Sequence, residues 1–184
     1  LWYIVLPSGI VSVLYQSQVD TLNTINAPIT GLSIGGAFSD FNRIFLNNVR
    51  VLIFCILFSF LYGAGAIFIL CWNASVIGAA IGNFIRTRLA LVSGLGIGAG
   101  FMQYFHIISI GLLKYSIHGP LEILAYFTAG LAGGIISVAV IRHDFGTRKF
   151  EHILLDSADL LLLSLLMLFV AALLEVFVTP AVFG

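Results

Sequence analysis

Ser116-Ile117-His118-Gly119-Pro120-Leu121-Glu122, with the apolar run that follows to Val140, is the stretch on which the reading of this chain turns. An imidazole and a carboxylate stand four residues apart at the mouth of a segment otherwise suited only to lipid or to a bundle interior. Pro120 fits the first helical position, where the N–H it lacks would be unpaired anyway, and Gly119 permits a sharp turn before it. The spacing predicts a helix from about residue 120. Glu122 then lies in its first turn, where the positive end of the helix dipole favours a carboxylate. His118 just precedes that turn and can approach Glu122.

The setting of this motif fixes the broad class. Of the 184 residues, 60% are hydrophobic and 9% charged, and the mean hydropathy is +1.13. A soluble domain carries roughly a quarter charged residues. The sequence therefore reads as an all-α, polytopic transmembrane helix bundle, multi-pass in a cell membrane and solvated by its lipid. A net charge of zero and the lack of a basic tract leave nothing to neutralise phosphates, which excludes nucleic acid as a partner. Cys55 and Cys71 fall in one apolar segment, about 24 Å apart if that segment is one helix, too far for a disulfide.

Working outward, the apolar stretch 1 to 14, interrupted by Pro7, reads as an incomplete first membrane helix, since it has neither the basic start nor the cleavage site of a signal peptide. Residues 16 to 48 form a polar connector with Pro28 and Gly31 as breakers. Within it Phe38, Phe41, Ile44, Phe45 and Asn48 recur at helical spacing, the pattern of a short interfacial helix. Val49 to Trp72 is long enough to cross a hydrocarbon core of about 30 Å. A straight helix over 49 to 86 would reach about 57 Å, so the chain is expected to turn near Asn73 and return as a short or broken helix over 74 to 85. Gly94, Gly96, Gly98 and Gly100 lead into a span at about 96 to 116. Spans at 120 to 141 and 160 to 178 follow, separated by the charged loop 142 to 151. The total is about five to six membrane segments in a single domain over residues 1 to 184.

With the 142 to 151 loop in the cytoplasm, alternation and the expected hairpin place seven of the eight Lys and Arg residues there, leaving Lys114 opposite. That satisfies the positive-inside rule. The same arrangement sends Asn73, His118, Glu122 and Glu175 to the outer leaflet, where they form a candidate polar cluster. An ionisable side chain within a span is costly unless it faces a partner or water, which makes such a cluster a functional candidate. Each member also has a simpler reading: Glu175 as a carboxylate near the interface, Glu122 as a helix-dipole partner, His118 as an exposed turn residue, Asn73 as a cap. His118, Glu122 and Glu175 are donors of the kind zinc accepts, though a second histidine on that side is missing. Ser116 is the one hydroxyl beside a base, and no catalytic set is assigned. A hydrogen-bonded lock, in which a carboxyl shares a proton or pairs with His118, is favoured over metal or catalysis. His106, with Gln103 and Tyr104, is expected to hydrogen-bond inside the bundle.

Phe45-Leu46-Asn47-Asn48-Val49-Arg50 before a span, Asn73 ahead of a glycine-bearing helix, His118-Gly119-x-x-Glu122, and Glu175-x-Phe177-x-Thr179-Pro180 resemble the motifs of the stage II sporulation protein M family of integral membrane proteins. They bracket residues 38 to 181, with Ala74 standing where the family usually has glycine. The resemblance implies a multi-span helical protein in which Asn47, Asn48, Arg50, His118, Gly119, Glu122 and Glu175 are family positions. In spore formers, members of this family scaffold a peptidoglycan-degrading complex by recruiting its extracytoplasmic hydrolases; others occur where no sporulation happens. The expectation is therefore a non-enzymatic membrane scaffold that positions partner proteins through its outer polar cluster, as a homo-oligomer or within a membrane-protein complex. A small-solute or ion transporter or channel is the alternative, and a metal-dependent intramembrane enzyme a second one.

Overall fold

Gly63, with φ of +63°, is where the first long helix ends and the chain doubles back. A left-handed backbone of this kind costs a residue with a Cβ but not glycine. Ser59 Oγ donates to the Gly63 carbonyl at 2.9 Å, occupying an acceptor the helix end leaves open. The computed structural model describes residues 2–25, 34–94, 100–142 and 145–183. The long elements are α4 (Ile34–Tyr62), α5 (Gly65–Gly94), α6 (Phe101–Ser116), α7 (Gly119–Ile141) and α8 (Arg148–Leu173). Three short helices precede them, α1 (Trp2–Val5), α2 (Ser8–Leu14) and α3 (Gln16–Ile25), and a π-helical turn (Leu174–Val178) and α9 (Thr179–Phe183) follow. Gly96, Gly98, Pro28, Gly31, His143 and Asp144 lie outside the described residues.

The hairpin at Gly63 corrects the expected turn near Asn73. Asn73 lies inside α5, a helix of 30 residues and about 45 Å, so there is no break and no half-helix over 74 to 85. The length argument failed because it started the helix at 49. α4 begins at Ile34, so the supposed interfacial helix is its N-terminal half, and half of the supposed connector is membrane-type helix. Pro7 divides the expected first span into α1 and α2, too short to cross. With α3 they lean on α5 instead: Arg86 Nη1 donates to the Tyr3 carbonyl at 3.1 Å and Gln18 Nε2 to Ser75 Oγ at 3.4 Å.

A second correction concerns the motif at 116 to 122. Gly111 packs against Ile85, and Gly130 against Ala66, an equal advance of nineteen residues along α5 and along the α6–α7 stretch. The chain therefore continues past α5 without reversing. Ile117 and His118 both keep right-handed helical angles, and Gly119 is not among the described glycines of positive φ. No sharp turn exists there. Residues 101–141 are one bent segment instead of two spans. Among the described residues, four segments are long and apolar enough to cross a membrane, Gly36–Tyr62, Gly65–Val92, Phe101–Ile141 and Arg148–Phe183, where about five to six were expected.

These segments run up, down, up and down. α4 and α7 lie side by side and parallel: Asn48 meets Glu122 near one end, and Ser137 Oγ donates to the Phe60 carbonyl at 2.6 Å near the other. α5 runs antiparallel along one flank. α8 returns along the other, where Phe169 meets the edges of Phe41 and Phe45 at centroid distances of 5.3 and 6.0 Å. The shared core is Leu52, Cys55, Ala66, Ala125, Tyr126, Ala129 and Leu168, mostly small on α7, as membrane helices in close contact require. Phe54, Leu61, Phe68, Leu131, Leu155 and Leu162 point outward toward what would be lipid. Both cysteines are free. Arg142 and Lys149 share one end of the bundle with Gly63, whereas Arg88 and Lys114 lie toward Phe183 at the other. The expected grouping of seven cations on one side is thus undone, because it rested on the hairpin at Asn73.

The glycines separate close approach from mere presence. A Cβ at Gly133 would lie 2.6 Å from the Ile56 carbonyl oxygen, whereas one at Gly119 would meet nothing within 4 Å. Gly133→Ala is expected to cost about 1–3 kcal/mol by forcing α4 from α7, and Gly119→Ala to cost nothing measurable. Thermal melts of the two variants in one detergent check this. Equal melting temperatures would mean that α4 and α7 are not in backbone contact.

Candidate functional site

Pro120 and Glu122 take the places their sequence predicts. Helix α7 starts at Gly119 with proline in its first positions and Glu122 in its first turn. The His118 carbonyl accepts from the N–H groups of Leu121 and Glu122 at 3.0 and 3.2 Å. Its ring makes no capping bond. Instead the imidazole is turned inward, 7% exposed, with Nδ1 buried and without a hydrogen-bond partner. The Tyr115 ring sits 6.2 Å away, centroid to centroid.

Glu122 is also buried, and its Oε1 accepts a hydrogen bond of 2.6 Å from Asn48 Nδ2 on α4. This joins the two parallel helices by a charge-assisted bond of the short, strong kind when the carboxyl is ionised. Glu175 arrives from the π-helical turn after α8. Pro180 has no N–H to return to the carbonyl four residues back and its ring crowds that carbonyl. The wider turn takes up this conflict, and Thr179 Oγ1 donates to the Leu174 carbonyl at 3.1 Å. π-turns of this kind are frequent at functional sites.

These side chains line a partly open cavity of about 100 Å³ between α3, α4, α5, the α6–α7 bend and the π-turn. It has room for several waters. Its polar lining is Asn47, Asn48, Asn73, Tyr115, His118, Glu122 and Glu175; Leu22, Ile44, Val76, Ile77 and Ala80 complete it. Glu122 and Lys114 both act electrostatically on Glu175.

The structure thus gathers Asn73, His118, Glu122 and Glu175 around one space, together with Asn47 and Asn48. Asn73 reaches it from mid-helix instead of a hairpin apex. Arg50 is exposed and lines no part of it, and Gly119 shapes no turn. Sequence reasoning missed Tyr115, whose only signal was its spacing of three from His118, and the direct bond between Asn48 and Glu122, which no local pattern encodes. Gln103, Tyr104 and His106 are exposed on α6 and so are not the interior hydrogen-bond group expected of them. Ser116 Oγ donates to the Leu112 carbonyl at 2.8 Å, engaged with its own helix and not with His118.

The zinc alternative fares poorly on donor geometry. Among the described residues no three His, Cys, Asp or Glu side chains form a group that could hold a metal ion. His118, Glu122 and Glu175 face one cavity without converging on one point, so they do not fit zinc, which calls for donors about 2 Å from a common centre.

The family model for Stage II sporulation protein M matches residues 2–180. The chain belongs to the stage II sporulation protein M family. No curated protein and no solved structure is matched. Every cavity residue falls inside the matched range, as do all four membrane-type segments up to Pro180. The chain is therefore a membrane protein of this family, and the cavity lies within the part of the chain that defines membership.

The Asn48–Glu122 bond yields a direct test. Replacing Asn48 with Leu leaves a buried carboxyl without its donor, at a cost of about 1–3 kcal/mol. Once Glu122 is also Leu, the added cost of Asn48→Leu should shrink, giving a coupling of at least about 0.5 kcal/mol in a double-mutant cycle. Unfolding in detergent measures it; additive losses would show that the two side chains do not interact.

Proposed function

We propose that this protein is an integral membrane protein of the cell membrane that binds a small monovalent cation, or a solute bearing a cationic group, in the cavity beside Glu122 and passes it across the bilayer. The observation that carries this reading is the inward orientation of the polar groups. Glu122 and His118 are buried and face the same space as Glu175, Asn47, Asn48 and Asn73. Groups meant to hold a partner protein would point outward.

The chemistry agrees with a cation. Two carboxyl groups and three amides offer hard oxygen donors, of the kind alkali and ammonium ions accept, and two carboxylates facing one low-dielectric space repel unless a positive charge separates them. Such a site within a span also has a cost that function must offset. Passage requires the bundle to open on both sides in turn. The bend at 117 to 118 and the π-turn are the two places near the cavity where helix geometry departs from regularity, and both carry site residues.

Reconstitution into liposomes tests this. Flux of Na⁺, K⁺ or ammonium down an imposed gradient is expected from the native chain and should fall at least tenfold in Glu122→Gln and Glu175→Gln, each first shown to melt as the native chain does. Absence of flux under every gradient counts against the proposal.

Family membership favours a second reading, the scaffold, in which the cavity is a polar brace and the protein positions partner proteins as an oligomer or within a membrane complex. Crosslinking in native membranes separates the two. Recovery of the chain alone and monomeric would remove the scaffold reading.

A further inference from the structure

Phe127, Leu131, Gly134, Val138 and Arg142 recur at helical spacing and form one stripe along α7. The stripe is the floor of a partly open groove of about 570 Å³. Ile67 and Leu70 of α5 line it along one side, and Lys149 and Ile153 of α8 line it where that helix begins. Gly130 and Gly134 add no side chain to the floor. From Phe127 to Arg142 the groove follows about 22 Å of helix rise. One leaflet of a hydrocarbon core of about 30 Å is about 15 Å deep, so the groove is long enough to reach from the interface past the middle of the bilayer.

The groove has a charged end and an apolar end. Arg142 and Lys149 are exposed and stand at the end of the bundle, where α7 stops and α8 starts. Leu70 and Phe127 lie further in, toward the core: Ala66, which lines the groove, belongs to the buried cluster with Ala125, Tyr126 and Ala129. The path from cations to apolar wall therefore runs from the end of the bundle toward its middle, as a lipid runs from headgroup to tail. Among the described residues no carboxylate lines the groove; Glu151, in the first turn of α8, is exposed outside it. The positive end of the α8 dipole adds to the attraction for an anion. A second copy of the chain suits the groove less well. A twofold interface about the membrane normal joins the same patch of each copy, which would set Arg142 and Lys149 against another Arg142 and Lys149.

We propose that this groove is a specific site for one anionic phospholipid, its head drawn to the end with Arg142 and Lys149 and one acyl chain lying along Val138, Leu131 and Ile67 toward Phe127. Each cation attracts the head independently, as basic residues at a membrane surface do. The convex apolar faces of the bundle take any lipid tail equally. A recess with one basic end selects by charge as well as by shape.

Native mass spectrometry of the detergent-purified chain, titrated with phosphatidylglycerol, phosphatidylcholine and glycerol phosphate, tests the site. One phosphatidylglycerol per chain should be held at least about tenfold more tightly than phosphatidylcholine and than any further phosphatidylglycerol. Arg142→Gln/Lys149→Gln should remove about tenfold or more of that affinity, as expected for the loss of two basic residues. Arg88→Gln, at the other end of the bundle, should leave it unchanged. Val138→Trp keeps both charges while narrowing the groove, and should weaken phosphatidylglycerol. Glycerol phosphate, a head without a tail, should not displace the lipid at equal concentration. Unchanged affinity in the double variant, or phosphatidylglycerols bound in a graded series with no tight first molecule, would overturn the site. Displacement by glycerol phosphate would overturn the place of the tail, and a dimer that excludes phosphatidylglycerol would give the groove to a second copy instead.

Discussion

The contact of α4 with α7 is the constraint on which the rest of this bundle depends. In a bilayer, lipid tails solvate apolar side chains as well as a neighbouring helix does, so association rests on close packing and polar bonds. Gly133 allows the α7 backbone onto the Ile56 carbonyl, and Ala125, Ala129 and Ala132, all buried, keep the approach close. At that separation Asn48 and Glu122 meet at 2.6 Å. Because the two helices are parallel, this bond falls at one end of the interface and the Ser137 to Phe60 bond at the other. The pair of polar bonds sets register, while the small residues between them set distance.

What was legible in the sequence was local. Pro120 announces the start of α7 because its own ring defines the backbone there, and Glu122 follows in the first turn by counting. The polarity of Asn73, His118, Glu122 and Glu175 in apolar surroundings marks them as costly whatever the fold, which is why they were singled out despite a faulty topology. The hairpin was not legible in this way. Gly63 is one of two glycines in Tyr62-Gly63-Ala64-Gly65-Ala66, and nothing local distinguishes the left-handed position from Gly65, which is helical. Asn73 looked like a breaker because the start of α4 was misplaced by fifteen residues, and Phe38 to Asn48 is as amphipathic as a surface helix. Register between distant segments stayed out of reach, and with it Tyr115 and the Asn48–Glu122 bond.

The two irregular backbone features nearest the cavity share one physical origin in proline. Pro120 lacks the N–H that would continue α6 into α7, so the bend at Ile117 and His118 costs no hydrogen bond there. Pro180 creates the same deficit four residues after Val176, and the π-turn absorbs it. Each proline therefore places an ionisable residue: His118 before the first and Glu175 before the second. A regular helix over 174 to 178 would rotate Glu175 relative to α8, since a π-turn adds one residue to the ring closed by each hydrogen bond. The orientation of this carboxyl thus depends on the proline five residues later.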